Sequence, residues 1–400
     1  MGCKGLRFER YHPDNLKRPS SGYINIHPIQ RGGILTPEAR KVLLEWADGY
    51  SVCDLCFEGR VDTIKKPPIV EFKQDVAEFL GMDDVRFTAG ARHAMFVVMS
   101  AFERGEVVVL DSLAHYTSYL AAELSGLKVV EVPNTGYPEF KVDPEAYAMT
   151  FERVREEYGK MPALALLTHV DYRYGNVADA KAVGRVCEDY EIPLLLNTAY
   201  SSGVMPVDGR KLRATFVVGS GHKSWAATAP MGILATTYEF CEGLFRKSKI
   251  RGEWSGRGFF KKEVPLFGCA PVYGLPLITL MASFPRVVER VMHWDEEVEK
   301  ARYFVAQMEK IVGVHQIGMR PTEHTLNNFE TLPFHSIAKK HKRGGYFLYS
   351  ELKKRGVVGV YPGMTKSFKV NTYGLTNEEL EKVIWAFRDI AEKSGLEIES

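Results

Sequence analysis

Between residues 67 and 241, short runs of β-branched and aliphatic residues alternate with stretches of helical periodicity, and no other feature restricts the fold as much. This alternation is the pattern of parallel βαβ units, because parallel neighbours need a crossover of a dozen or more residues, usually a helix. Runs at 107–110, 128–132, 163–168, 193–196, 216–219 and 231–236 read as strands, and 72–80, 93–102, 116–124, 146–158 and 179–190 read as helices. Several strands are apolar on consecutive positions, as expected where helices cover both faces of a sheet. The expectation is an α/β fold with a mostly parallel sheet of six or seven strands. Ligands of such sheets sit outside the carboxyl ends of the strands.

The remaining chain flanks this unit. Residues 1–66 read as an N-terminal arm with a C-x-x-C loop, in which Thr36-Pro37-Glu38 opens a helix with a hydroxyl cap and a proline in the first turn. Residues 67–269 form the large domain and 270–400 a smaller α+β C-terminal domain. In the latter, 275–311 reads as a long helical stretch, 345–355 as a helix, 359–371 as a hairpin-like pair and 377–393 as a closing helix begun by Thr376-Asn377-Glu378-Glu379. The longest apolar stretch, 275–284, is interrupted by Pro276 and Thr279 and falls far short of the ~20 residues that span a bilayer. With no apolar segment in the first ten residues either, a cytoplasmic protein without a membrane segment is expected.

Charge narrows the partners only locally. The 52 basic and 50 acidic side chains leave a net +2, which demands no polyanionic partner, so nucleic-acid contact has to come from clusters. The densest is Lys339-Lys340-His341-Lys342-Arg343; 353–355 and 247–251 are weaker.

The chemistry is concentrated where strands end. Lys223, in Ser220-Gly221-His222-Lys223, directly follows the run 216–219, where a lysine can form a Schiff base with a bound aldehyde. Thr88-Ala89-Gly90-Ala91-Arg92 precedes a helix and offers N–H groups and a guanidinium to a phosphate. His115 follows the run 107–110, where an imidazole can lie flat over a heteroaromatic ring, and Asn197 ends the run 193–196, within reach of a ring nitrogen. Each alone is unremarkable; in this order the four fit pyridoxal phosphate.

The chain resembles the O-phosphoseryl-tRNA:cysteinyl-tRNA synthases, fold-type I pyridoxal phosphate enzymes, over nearly its whole length. The residues that carry the resemblance are Ile24-Asn25-Ile26-His27-Pro28-Ile29-Gln30-Arg31-Gly32-Gly33, the segment 36–59, Gly90-Ala91-Arg92, Ser220-Gly221-His222-Lys223 and Tyr361-Pro362-Gly363-Met364-Thr365. The resemblance implies a homodimer that converts phosphoseryl-tRNA(Cys) to cysteinyl-tRNA(Cys) by losing phosphate and adding sulfur, with the phosphoseryl-tRNA synthetase as a further partner. It implies Lys223 as Schiff-base lysine and general base, His115 as a catalytic and ring-stacking residue, and Ala91, Arg92, Asn197, Ser220, Gly221 and His222 around the cofactor. Cys53, Cys56 and Cys269 would converge on the site, carrying sulfur as a persulfide or holding an iron–sulfur cluster. A substrate phosphate would need its own donors, for which Arg31, His115, His222 and Arg257 are the candidates.

Two departures from aminotransferases of this fold bear on the chemistry. Asn197 stands where an aspartate is usual, and a neutral amide makes the cofactor ring a weaker electron sink. The late stretch Ser367-Phe368-Lys369-Val370-Asn371 lacks an arginine to fork an α-carboxylate, in keeping with a substrate whose carboxyl is esterified. The competing reading, a cysteine desulfurase or selenocysteine lyase acting on a free amino acid, needs such an arginine.

Overall fold

In the computed structural model, which describes residues 12–16, 22–29, 31–47, 52–53, 58–59, 68–268 and 274–399, the chain opens with β1 (Ile24–Asn25), α1 (Pro37–Leu43) and the paired strands β2 (Val52–Cys53) and β3 (Glu58–Gly59). Then come α2 (Ile69–Phe79), β4 (Asp84–Thr88), α3 (Ala91–Met99), β5 (Val107–Asp111), α4 (Tyr116–Ser125), β6 (Lys128–Val132) and α5 (Pro144–Tyr158). The sheet is completed by β7 (Leu164–Thr168), α6 (Ala180–Asp189), β8 (Leu194–Asn197), β9 (Phe216–Ser220), the single turn α7 (Gly221–Ser224), β10 (Gly232–Thr236) and α8 (Tyr238–Leu244). The last part holds α9 (Gly274–Met292), α10 (Trp294–Glu309), β11 (Val314–Ile317), β12 (Leu326–Thr331), α11 (Leu332–Lys340), α12 (Phe347–Lys354), β13 (Val357–Val358), β14 (Ser367–Asn371) and α13 (Asn377–Lys393).

Seven strands form one sheet in the order β4-β10-β9-β8-β7-β5-β6, with β10 antiparallel to both of its neighbours and the other pairs parallel. Alternate residues of each strand feed two different cores. Val107, Val109, Ala165, Leu167, Leu194, Leu196 and Val217 pack against Phe72, Phe151, Val183, Leu277 and Leu280 of α2, α5, α6 and α9. Val108, Leu110, Leu164, Leu166, Leu195, Phe216 and Val218 face the other way, onto Ala94, Val97, Ala121 and Leu244 of α3, α4 and α8. Burying a side chain of this size fully contributes roughly 1.5–3 kcal/mol, so helices on both faces are what consecutive apolar residues require. The three-stranded antiparallel sheet β11-β12-β14 carries a third core around Phe304, Phe329, Phe334, Phe368 and Phe387. Among the described residues no helix is long and apolar enough to cross a membrane.

Three expectations differ from what the chain does. The strand β4 is unanticipated, because Asp84 and Arg86 interrupt its apolar residues; it lies at the sheet edge, where Arg86 pairs with Asp84 and Glu263. Residues 359–371 form no hairpin: β13 pairs in parallel with β1, and β14 pairs antiparallel with β12. Gly359, at φ +127°, turns the chain between them, and a Cβ there would lie 2.5 Å from the backbone nitrogen of His27. The helical stretch 275–311 is two helices, which meet at His293, the residue that caps α10.

Candidate active site

The parallel strands end together, and the segments that leave those ends line one cleft of about 310 Å³. After β4 the chain turns at Gly90, φ +94°, into α3, whose first N–H groups, on Ala91 and Arg92, have no intrahelical acceptor. The turn is tight because β10 starts beside it: a Cβ on Gly232 would stand 2.3 Å from the carbonyl carbon of Gly90. After β5 comes His115, which caps α4 by accepting the Thr117 N–H at Nδ1 (3.3 Å). At the end of β7, Thr168 N donates to Asp111 Oδ2 (2.7 Å), which locks this strand end to that of β5. Asn197 closes β8, its Oδ1 accepting the N–H of Ala199 (3.2 Å), and Ser220 closes β9 directly ahead of the turn that holds Lys223.

The turn that carries Lys223 is held from three sides. A Cβ on Gly33 would meet the His222 carbonyl oxygen at 2.2 Å, and one on Gly32 would meet the Lys223 oxygen at 2.8 Å, so the N-terminal segment lies directly against this backbone. The half-buried guanidinium of Arg290 donates to the carbonyls of Gly203 (2.7 Å), Gly32 (3.3 Å) and Ser224. Trp225, just beyond the turn, is fully buried and donates to Ser202 Oγ (3.1 Å). Such a frame leaves the Lys223 side chain as the movable part.

Charge in the cleft is one-sided. Arg92, Lys223 and Lys369 gather here, and no carboxylate is among the described residues that line it. Burial, then the charges of Arg92 and Lys369, pull the Lys223 ammonium below its ordinary pKa, which favours the neutral amine. Burial, followed by Lys223, Arg92 and Lys369, lowers His115 to about 4, so its ring is uncharged at neutral pH. Burial and then the same neighbours Lys223 and Arg92 lower His222, against its hydrogen bond to the Met231 carbonyl (3.0 Å). Asp111, wholly buried beneath the strand ends, is pushed up to about 6 by that burial.

Ala91, Arg92, His115, Asn197, Ser220, His222 and Lys223 line the cleft together, and Gly221 lies between two of them at the start of the turn. Arg31 does not join them: its guanidinium donates to the carbonyls of Tyr373 (2.8 Å) and Asn25 (3.2 Å). Arg257 is exposed on a loop, 5.6 Å from the Phe259 ring centroid, and is also absent from the lining. The side chain of Cys53, and all of Cys56 and Cys269, lie outside the described residues, so the sulfur or cluster ligands expected there are not placed. Among the described residues, no group of three or more His, Cys, Asp or Glu can hold a metal ion.

Sequence reasoning missed a second compartment of about 150 Å³, which shares His115, Tyr172, Tyr200 and Lys223 with the first and adds His27, Tyr361 and Lys369. The expected absence of an arginine on β14 holds, but a cation is present there: Lys369 Nζ donates to the Tyr172 carbonyl (2.7 Å) and lies 5.0 Å from that ring's centroid. The signal was available in one respect. In β14 the odd-numbered residues Ser367, Lys369 and Asn371 share a face, and Lys369 is the charged one among them.

The residues suit pyridoxal phosphate on a structural test. One hydroxyl of the lining, Ser220 Oγ, is buried without a hydrogen-bond partner among the described residues. An unmade bond of this kind costs about 1–3 kcal/mol, so a polar ligand that completes it is favoured. The amide of Asn197, with Oδ1 engaged by Ala199, is left to act as a donor, which matches an unprotonated ring nitrogen.

Residues 71–392 match the family described as O-phosphoseryl-tRNA(Sec) selenium transferase, SepSecS. The chain is 68% identical over 387 residues to O-phospho-L-seryl-tRNA:Cys-tRNA synthase 2 of Archaeoglobus fulgidus, covering 97% of this chain and 99% of the relative. It is 55% identical over 394 residues to O-phospho-L-seryl-tRNA:Cys-tRNA synthase of Methanopyrus kandleri, covering 98% of this chain and 100% of the relative. A chain from a crystal structure of a SepCysS–SepCysE N-terminal domain complex matches with a TM-score of 0.89 at 47% identity, over 97% of this chain and 100% of that one. At 17% identity, a cysteine desulfurase from Thermococcus onnurineus NA1 shares the fold, with a TM-score of 0.73 over 93% of this chain and 95% of that one. An SPT with PLP does so at 15%, with a TM-score of 0.67 over 93% and 88%.

Proposed function

The chain belongs to the family of O-phospho-L-seryl-tRNA:Cys-tRNA synthases, and from that premise we propose that its cleft converts phosphoseryl-tRNA(Cys) to cysteinyl-tRNA(Cys) with pyridoxal phosphate as cofactor. The observation that carries the reading is a half-buried lysine just beyond the carboxyl end of a parallel strand, near Arg92 and Asn197, in a cleft whose described lining holds no carboxylate.

Lys223 would hold the cofactor aldehyde. Arg92, the first N–H groups of α3 and the Ser220 hydroxyl would hold its phosphate, with His115 against the ring and Asn197 at its nitrogen. Bound there, the cofactor supplies an electron sink that weakens the substrate's α C–H bond and assists departure of phosphate from the β-carbon. The chain's own residues do the rest. Lys223, its ammonium destabilised by burial and by Arg92 and Lys369, takes the α-proton at Nζ and later returns it. His115, neutral because it is half-buried beside cations, would add no positive charge over the ring. Tyr200, whose ring lies 5.2 Å from Lys223 Nζ and whose hydroxyl burial keeps protonated, closes the cleft behind that amine.

Sulfur for the second half of the reaction is assigned to Cys53, Cys56 and Cys269. For the tRNA, the run 339–343 is favoured over 353–355. Lys339, Lys340, Lys342 and Arg343 are exposed, whereas Lys354 and Arg355 are neutralised by Glu351 and Asp389. The loop after the run is tied to the mouth of the cleft, since Gly363 N donates to Gly345 O (2.9 Å) beside Tyr361 and Met364. That position suits an acceptor end threaded toward Lys223. A homodimer is supported by apolar side chains exposed on one segment, Trp254 at 95% and Phe267 at 83%, with Ile250 and Phe260 nearby in sequence. A SepCysE-like protein is the further partner.

The test is incubation of the holoenzyme with phosphoseryl-tRNA(Cys) and sulfide, against free phosphoserine with sulfide. Cysteinyl-tRNA from the first and no cysteine from the second is the expected outcome. Cysteine from the free amino acid alone would point instead to an enzyme that exchanges phosphate for sulfur on free phosphoserine. The amide at 197 gives a second expectation. Asn197→Asp places an acceptor at the ring nitrogen, strengthens the sink and should raise transamination relative to phosphate release by about tenfold, the equivalent of about 1.4 kcal/mol. Unchanged partitioning, measured as keto product against phosphate, would refute the weaker-sink account.

A further inference from the structure

Resting on that reading of the cleft, we propose that its outer compartment is the subsite for the substrate's phosphoryl group, with Lys369 as the cation and the Tyr361 hydroxyl, oriented by His27, as the neutral donor. A phosphoserine bound with its α-carbon near Lys223 must send its phosphate away from the cofactor's own phosphate cup at Arg92. The outer compartment is contiguous with the inner one through His115, Tyr172, Tyr200 and Lys223.

Lys369 has capacity to spare. Its Nζ gives one proton to the Tyr172 carbonyl, and it makes no ion pair among the described residues. The acid that acts on it electrostatically, Asp171, has its oxygens taken by the N–H groups of Arg173 (2.8 Å), Tyr174 (2.8 Å) and Asn176 (2.9 Å). Two ammonium protons are therefore left for a ligand. A lysine binds phosphate as a compact point charge with freely directed donors, and this strand lacks the arginine fork that would grip a planar α-carboxylate bidentately.

Tyr361 is prepared by its neighbour. His27 Nδ1 accepts the Ile29 N–H (3.2 Å), which assigns the ring proton to Nε2, and Nε2 then donates to Tyr361 Oη (2.6 Å). With its oxygen accepting that bond, Tyr361 can direct its own proton at an anion. Negative charge grows on the departing phosphate as its bond to the β-carbon breaks, so both donors favour the transition state.

The experiment titrates inorganic phosphate into cofactor-loaded enzyme by calorimetry, so that the cofactor's own phosphate already fills the Arg92 cup. Wild type, Lys369→Met and Tyr361→Phe are compared, with acetate as a second titrant and the visible absorbance of the loaded enzyme as a check on folding. Lys369→Met should weaken phosphate binding by at least about tenfold, as loss of a hydrogen bond from a charged group predicts, and Tyr361→Phe by about two- to tenfold. Acetate should bind the wild type much more weakly. No phosphate binding in the wild type, equal affinity in wild type and both variants, or a Lys369-dependent site that prefers acetate would each overturn the proposal. If the wild type makes cysteinyl-tRNA and phosphate affinity is still untouched by either variant, the subsite alone is wrong. A wild type that makes none removes the functional reading itself.

Discussion

Lys223→Ala should lower turnover of phosphoseryl-tRNA by a factor of at least about 10⁴, since in the proposed roles this side chain is both the general base and the amine that anchors the cofactor. The side chain fills no core: it lies in the cleft, while the turn around it is held by the Gly32-Gly33 contact, Arg290 and Trp225. The variant should therefore melt within a few degrees of the wild type and lack the visible absorbance of the lysine-bound cofactor. Lost activity with an intact band, or appreciable turnover without Lys223, would each contradict the role given to this amine.

Gly33→Ala should damage the same site without touching a reacting group. The added Cβ would fall 2.2 Å from the His222 carbonyl oxygen, a backbone atom that cannot swing aside as a side chain does. Overpacking of this kind costs about 1–3 kcal/mol, and the displaced element is the turn that presents Lys223. A lowered melting temperature together with reduced cofactor occupancy is expected. Gly243→Ala is the matched control, because a Cβ there meets nothing within 4 Å and replaces glycine in α8. It should stabilise by roughly 0.5–1 kcal/mol. Equal melting temperatures and equal occupancy in the two variants would show that the N-terminal segment does not brace the lysine.

The inner half of the site is legible in the chain because its residues follow apolar strands directly. His115 comes shortly after β5, Asn197 ends β8, and Lys223 stands three residues beyond β9, so locating the strands locates the residues. The outer half is not, since it is assembled by long-range pairing. Tyr361 and Lys369 reach the cleft through β13 on β1 and β14 on β12, and His27 arrives two residues after β1. No local pattern reports which strands those will be. Arg31 shows the converse. Its place in a distinctive glycine-rich motif suggests an anion ligand, yet its guanidinium is turned to the carbonyls of Asn25 and Tyr373 and does not line the cleft. Motif membership told its neighbourhood but not its direction.

Two lysines, Lys223 and Lys369, line the cleft, and only one of them is given the cofactor. Borohydride reduction of the loaded enzyme, with proteolysis and mass spectrometry of the product, identifies which amine carries the pyridoxyl group. The modification is predicted on the peptide containing Lys223, at about one per chain. Modification at Lys369, or at no single lysine, would contradict the assignment on which the reaction depends.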